Sequence, residues 1–213
     1  VLANQSGVTS PPFELARAEV ALQRGRFTEA QTSAEAASNE TTQAFRALAI
    51  AGRAAHLDSR EEEALAFYQR AATAAETETE SREAAWGRLG CLIDLERPEA
   101  KAALEQLRAT VVRSNPSDVV QSESGRIAYQ LKLGAIDLTE ADRACELLGA
   151  VRNPLVRASF QSMYGSALVL AARYDEALEI AESLIELARH YRIDFALPYG
   201  LCAVATALAG RRR

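Results

Sequence analysis

The order of apolar and polar positions along the chain predicts helices and no sheet. No segment shows sustained alternation of apolar and polar residues, which is the pattern of a half-buried strand. Pro11-Pro12 opens the first helix, where proline is tolerated. Asn115-Pro116 and Asn153-Pro154 mark breaks, because the residue before a proline disfavours the helical conformation. We expect helices at 12–24, 27–38, 41–57, 60–76, 80–95, 98–113, 117–134, 138–150, 154–172, 174–190 and 194–209.

A Glu-Ala pair recurs along the chain at a nearly constant interval. The pairs are Glu29-Ala30, Glu63-Ala64, Glu99-Ala100, Glu140-Ala141 and Glu176-Ala177. Their alanines are separated by 34, 36, 41 and 36 residues. Small or aromatic residues follow at fixed offsets, as in Ala64-x3-Tyr68-x2-Ala71. A period of this length indicates a supersecondary unit that is stable only when stacked on its neighbours.

Two further segments carry a resemblance to a known repeat: Trp86-x2-Leu89-Gly90-x2-Ile93 and Tyr164-Gly165-x2-Leu168. With the Glu-Ala register they resemble the tetratricopeptide repeat (TPR), W-x2-L-G-x2-Y then A-x3-F-x2-A then P over about 34 residues. The chain departs from it in having a single tryptophan, and in Arg97-Pro98, which implies a shortened turn before Glu99. The resemblance implies an all-α fold, a right-handed superhelical solenoid of helix-turn-helix hairpins. We expect about five and a half repeats over 11–213, after a flexible tail at 1–10.

Small residues are expected where the two helices of a hairpin cross, and large ones between hairpins. The predicted crossing points are Gly52, Gly90 and Gly165. The aromatic residues expected in the core are Phe67, Tyr68, Trp86 and Tyr164. In such an array no hairpin buries its apolar face alone, so stability comes from stacking.

The resemblance also implies a binding surface, because stacked hairpins form a concave face lined by the first helix of each repeat. The Glu-Ala register places these candidate binding residues on that face: Arg46, Arg53, His56, Asp94, Arg126 and Gln130. Cys91 maps to the same face. The three arginines could form a basic patch that takes an acidic peptide or a phosphorylated ligand through bidentate contacts. The alternative is that they are solvated or paired with neighbouring glutamates.

No catalytic or cofactor motif is present. The sequence contains no GxxxxGK[ST], GxGxxG, GxSxG or HExxH segment, so we expect neither an enzyme nor a cofactor. His56 and His190 fall at predicted helix ends, and neither pairs with a second histidine or a cysteine at the usual ligand spacing, so no metal site is expected. The cysteines, Cys91, Cys145 and Cys202, are expected to be buried, reduced and structural.

Net charge and hydropathy limit the classes of partner that this chain is expected to bind. The net charge is −5 and the pI about 5.3, which argues against direct contact with nucleic acid by this chain. No apolar run is long enough to span a membrane. We therefore expect a cytoplasmic protein whose partner is a protein, a peptide or a small-molecule inducer on the concave face.

The run from 153 to 213 resembles the helical-repeat sensor region of large LuxR-type bacterial transcriptional regulators, which are similar to the maltose-regulon activator. In them an ATP-binding domain and a DNA-binding helix-turn-helix flank the repeats, so DNA binding would fall to a missing domain. We expect a fragment whose last repeat lacks its second helix. Leu201, Val204 and Leu208 would then be uncovered, and an end-to-end dimer could form there. The alternative function is a free-standing TPR scaffold for protein–protein assembly.

Overall fold

The structure, a computed structural model, describes residues 10–38 and 43–212. In these two ranges it contains eleven α-helices and no strand, which confirms the all-α prediction. The helices are α1 Pro11–Gln23, α2 Phe27–Ala37, α3 Ala44–Leu57, α4 Glu61–Ala74, α5 Glu78–Asp94, α6 Ala100–Ala109, α7 Pro116–Leu133, α8 Thr139–Cys145, α9 Pro154–Leu170, α10 Tyr174–Tyr191 and α11 Leu197–Gly210. Short 3₁₀ turns span Leu148–Ala150 and Asp194–Ala196.

The expected tail at 1–10 lies outside the described residues apart from Ser10, the N-cap of α1. Residues 41 and 42, at the predicted start of the third helix, also lie outside them. The helix starts expected at prolines are confirmed. Asn115 and Asn153 have extended backbones, and each side chain accepts a hydrogen bond from the backbone N–H two residues later. These asparagines cap α7 and α9 at the predicted breaks.

The chain divides into two compact units, residues 1–95 and 96–213. In the first unit every helix from α1 to α5 packs on the next one, and α3 also contacts both α1 and α5. In the second unit α9, α10 and α11 repeat this arrangement: α10 packs on both of the others, and α9 also contacts α11. Earlier in the same unit, α7 packs against α6, α8 and α9. Each unit therefore contains successive hairpins whose first helices also contact one another.

Three hairpins share the same turn. Gly25, Ser59 and Ala172 have left-handed backbones with φ of 69°, 57° and 58°. In each case the next residue is an arginine whose backbone N–H bonds a carbonyl five residues earlier, at 2.9 Å: Arg26 to Ala21, Arg60 to Ala55 and Arg173 to Leu168. This pattern closes the end of the first helix, as expected of a left-handed C-terminal cap. The turns between α1 and α2, α3 and α4, and α9 and α10 are thus copies of one structure.

The recurring Glu-Ala pair has a physical role in these turns. The turn arginine precedes the second helix and pairs with the glutamate three residues on: Arg26 with Glu29 at 2.8 Å, Arg60 with Glu63, and Arg173 with Glu176. The alanine of each pair donates its N–H to the carbonyl of that arginine and is fully buried. An acidic side chain in the first turn also complements the helix dipole. In these three hairpins the sequence period therefore marks where the second helix begins.

The third pair departs from this pattern, as the sequence predicts. Glu96 has a left-handed backbone with φ of 53°, and Arg97 follows it. Pro98 then brings Glu99 one residue closer to the arginine than in the other turns, and Glu99 becomes the N-cap of α6. The predicted shortened turn is therefore wrong: five residues, 95–99, separate α5 from α6, whereas three residues separate the helices in each of the other turns.

Two predicted helices are shorter than expected. The sixth ends at Ala109 because Thr110, Val111 and Val112 follow, three β-branched residues with low helix propensity. The eighth was expected to reach residue 150 but ends at Cys145 and continues as the 3₁₀ turn Leu148–Ala150. Gly149 disfavours an α-helix there, and Asn153 must be extended before its proline.

Two glycines of the first unit pack directly against the ring of Tyr68. This buried ring of α4 lies between Gly52 of α3 and Gly87 of α5. A Cβ built on Gly52 would be 3.1 Å from the Tyr68 ring, and one on Gly87 only 2.2 Å. Gly90 is also close, at 3.4 Å from the His56 ring, but a Cβ on Gly165 would make an ordinary 3.6 Å contact. Gly52 of α3 faces α4 and Gly165 of α9 faces Ile180 of α10, as predicted for hairpin crossings. Gly90 faces α3 instead of α6, so that prediction is wrong, and Gly87 was missed.

Replacing Gly87 by alanine is expected to destabilise the first unit. Alanine favours a helix over glycine by about 1 kcal/mol, but forcing a methyl group into a packed ring costs about 1–3 kcal/mol or more. We expect a net loss of about 1–2 kcal/mol, measured by urea unfolding followed through the fluorescence of Trp86, the single tryptophan. The matched change Gly165→Ala, also in a helix, should leave the free energy of unfolding unchanged or raise it, as followed by circular dichroism. Equal effects of the two changes would contradict the packing described around Tyr68.

Replacing Ala172 by glycine is expected to stabilise the second unit. A left-handed conformation costs a residue with a Cβ about 1–2 kcal/mol, whereas glycine loses about 0.5–1 kcal/mol more backbone entropy. The net gain should be about 0.5–1 kcal/mol in thermal or urea unfolding. Ala171→Gly is the control, because Ala171 has a φ of −80° and should lose stability. A loss in both variants would show that the turn is not left-handed.

Candidate functional site

In the first unit the predicted binding residues lie on α3 and α5. Arg46 forms an ion pair with Glu19 of α1, so it joins two successive first helices. Arg53 interacts with the hydroxyl of Tyr68, whose pKa is raised to about 12 by burial despite that neighbouring guanidinium. Both arginines therefore already have partners within the chain, and Arg46 pairs with a glutamate as the alternative in the sequence analysis states.

His56 is the centre of a polar cluster in the same unit. Its Nδ1 lies 2.6 Å from Glu61 Oε2 and 3.8 Å from Cys91 Sγ. On the other side of the ring, Nε2 lies 3.6 Å from Asp94 Oδ2. His56 occupies the last turn of α3, Glu61 begins α4, and Cys91 and Asp94 belong to α5. The cluster therefore joins three successive helices.

Cys91 is a fully buried free thiol, as predicted for the cysteines. It lies on the same face of the first helices as His56, but because it is buried it does not line an open groove. Burial, with the negative charges of Glu61 and Asp94, raises the pKa of its thiol to about 12. At neutral pH the free thiol is protonated and packs as a small apolar group beside the imidazole.

No histidine stands at the usual ligand spacing from a cysteine in the sequence, but the fold brings His56 and Cys91 into contact. His56 and Cys91 are 35 residues apart, which is about one repeat. Adjacent first helices contact each other, so residues one repeat apart on the same face come together. The repeat register itself was the signal, whereas a search for short ligand spacings could not detect it. Among the described residues, one atom each of His56, Glu61 and Cys91 lies within 4.8 Å of the others.

In the second unit Arg126 is part of a buried network and not of an open basic patch. Its side chain is only 11% exposed, and its Nε donates to Glu123 Oε2 at 2.6 Å. One Nη donates to both Gln130 Oε1 and the Asp137 carbonyl at 2.9 Å. The predicted contribution of Arg126 and Gln130 to a ligand groove is therefore corrected, because these groups bond each other and hold the end of α7 to the following loop. Arg108 also bonds Glu123 and links it to Glu140.

Several other expectations about side chains need correction. Of the three cysteines, which are all free thiols, Cys145 is only partly buried and Cys202 is exposed. Trp86 is half-buried, whereas Phe67, Tyr68 and Tyr164 are buried as expected. His190 ends α10 as predicted and contacts the Tyr191 ring edge-on. Leu201 and Leu208 of α11 are exposed, and Val204 is partly exposed.

None of the helices in the described part of the chain is both long and apolar enough to cross a membrane. Comparison with known proteins identified no relative. No protein-family model matches the chain, and no curated protein or solved structure is significantly similar to it.

Proposed function

We propose that this chain is a non-catalytic, TPR-like binding module that forms the sensor region of a LuxR-type transcriptional regulator in the bacterial cytoplasm. In this proposal the hairpins stack into a right-handed superhelical solenoid. A protein, peptide or small-molecule inducer binds to the face of the first helices, and DNA is contacted by another domain.

The observation that carries the proposal is the turn shared by three hairpins. A left-handed residue, an arginine and then a glutamate three residues later recur at Gly25, Ser59 and Ala172 with the same backbone bonds. In addition, α3 contacts α1 and α5, and α9 contacts α11. The first helices of successive hairpins therefore lie side by side within each unit, as a repeat array requires. Repeated hairpins with contacting first helices are the structural basis of extended binding faces in solenoid proteins.

The residues on that row favour a ligand with polar groups over a purely apolar one. In the first unit, Arg46, Arg53 and His56 all belong to α3, and each retains some exposed surface. Arg46 and Arg53 already interact with Glu19 and Tyr68. A bound ligand must therefore displace these partners or accept hydrogen bonds from the other N–H groups of the two guanidinium groups.

The sequence of the complete gene tests the regulator proposal most directly. We expect a phosphate-binding loop before the segment that encodes this chain, and a helix-turn-helix after it. The absence of both would overturn the regulator proposal. Continuation through further repeats and a polar cap alone would establish the alternative, a free-standing scaffold.

A sedimentation experiment addresses the predicted end-to-end dimer. Leu201 and Leu208 are exposed and lie on one face of α11, two turns apart. The buried residues Gly200 and Ala207 lie on a different face of the same helix. If this face mediates self-association, the double change Leu201→Glu and Leu208→Glu should convert the dimer to a monomer. A monomer in the unmodified chain would contradict the prediction.

A further inference from the structure

We propose that His56, Glu61 and Cys91 bind a zinc ion, and that Asp94 orients the histidine ring as a positioning residue. The site lies within the first unit and is independent of the proposed regulator function.

The nitrogen and sulfur donors are close to the separation that zinc requires, and all three donor atoms lie within 4.8 Å of one another. With Zn–N of about 2.0–2.1 Å and Zn–S of about 2.3 Å, a tetrahedral ion holds nitrogen and sulfur about 3.6 Å apart. His56 Nδ1 and Cys91 Sγ are 3.8 Å apart. Glu61 Oε2, now hydrogen-bonded to Nδ1 at 2.6 Å, would have to move away by somewhat less than 1 Å to admit the ion. Its carboxylate is at the start of α4 and keeps some exposed surface, so a side-chain rotation suffices.

The chemistry of the donors favours zinc over the hard cations. An imidazole nitrogen, a thiolate and one carboxylate form a mixed set that suits Zn²⁺, whereas Mg²⁺ and Ca²⁺ prefer oxygen ligands alone. Three protein ligands leave the fourth tetrahedral position to water or to a ligand. The partial exposure of His56 and Glu61 places that position on the solvent side, and the buried Cys91 holds the ion from the protein side.

Asp94 provides a second and independent indication. A metal-bound histidine usually directs its other ring nitrogen at a carboxylate or carbonyl, which fixes the ring and its tautomer. His56 turns Nδ1 towards Glu61 and Cys91, while Nε2 faces Asp94 Oδ2 at 3.6 Å. The ring is therefore already in the orientation that a metal site needs, with Nδ1 towards the other two donors and Nε2 towards a carboxylate.

The charge around the site also favours a cation. The carboxylates of Glu61 and Asp94 flank the imidazole, at 2.6 Å from Nδ1 and 3.6 Å from Nε2. When zinc binds, the sulfur becomes a thiolate ligand and its proton is released to the solvent. Nδ1 also gives up the hydrogen that it shares with Glu61, and the neutral ring carries its hydrogen on Nε2, towards Asp94. The ion thus replaces one proton and offsets the negative charge of the carboxylate.

Cobalt titration of the metal-free protein tests the proposal, because four-coordinate Co²⁺ replaces zinc and its bond to a thiolate absorbs in the near ultraviolet. We expect one equivalent to produce this absorption together with intense visible bands, and zinc to remove both. Cys91→Ala should abolish the near-ultraviolet band, whereas Cys145→Ala should leave it unchanged. A protein without the band, or a band that survives Cys91→Ala, would overturn the proposal.

Two milder variants keep the test decisive if Cys91→Ala does not fold. Glu61→Gln preserves the shape of the side chain and should weaken cobalt binding by at least about tenfold, with circular dichroism unchanged. Asp94→Asn should weaken binding by about 10–100-fold while the near-ultraviolet band remains, since sulfur is still a ligand. Unchanged affinity in folded Glu61→Gln protein would remove Glu61 from the site and contradict the three-ligand arrangement.

Discussion

Replacing Phe160 by alanine is expected to lower the free energy of unfolding of the second unit by about 3–5 kcal/mol. Phe160 is the largest of the described side chains that are fully buried, and it stacks on Tyr164 with ring centroids 5.2 Å apart. Alanine would leave a cavity between α9 and its neighbours and remove the aromatic contact. Urea unfolding followed by circular dichroism measures the loss.

Leu170→Ala is the matched control for this prediction. Leu170 ends the same helix but is 65% exposed, so its replacement should change stability by no more than about 0.5 kcal/mol. Comparable losses in the two variants would show that the core of the second unit is not centred on Phe160.

Replacing Arg126 by methionine should destabilise the second unit by about 3 kcal/mol. The change leaves the buried carboxylate of Glu123 with Arg108 as its remaining cation and also releases the Asp137 carbonyl. Breaking one side of a buried ion pair costs about 3–5 kcal/mol. The retained bond to Arg108 places the expected value at the lower end, again measured by urea unfolding.

A double variant separates the cost of a stranded charge from a general loss of packing. Replacing both partners, with Glu123→Leu and Arg126→Met, removes the buried charges together, and such exchanges are often neutral or stabilising. The double variant should therefore be more stable than Arg126→Met alone. If Arg126 instead lies in an open groove, the single change would have almost no effect on stability.

The repeat is easier to predict from the sequence than the first and last residues of the helices. The Glu-Ala pairs predicted where α2, α4 and α10 begin, because each pair is fixed by a turn that local sequence determines. The left-handed residue was not predictable, since glycine occurs only at Gly25, whereas Ser59 and Ala172 adopt the same backbone against their own preference. There the stacking of two helices decides the turn and overrides propensity.

The candidate site was only partly predictable for a related reason. The register placed His56, Cys91 and Asp94 on first helices, but it treated that face as open. Whether a residue on it is exposed depends on how closely adjacent helices pack, and Gly87 and Gly90 let α5 approach closely enough to bury Cys91. Arg126 illustrates the same limit. Its partner Glu123 lies one turn away on α7, which the sequence shows, but the burial of the pair depends on how the neighbouring helices pack.

Small-angle X-ray scattering of the isolated chain tests the proposed solenoid most directly. A compact domain of 213 residues would have a radius of gyration of about 17 Å. An open stack of hairpins predicts a value above about 20 Å and a distance distribution with an extended tail, for the monomer as established by sedimentation. A symmetric distribution with a radius of gyration of about 17 Å would indicate helices gathered into a closed bundle, and would contradict the solenoid.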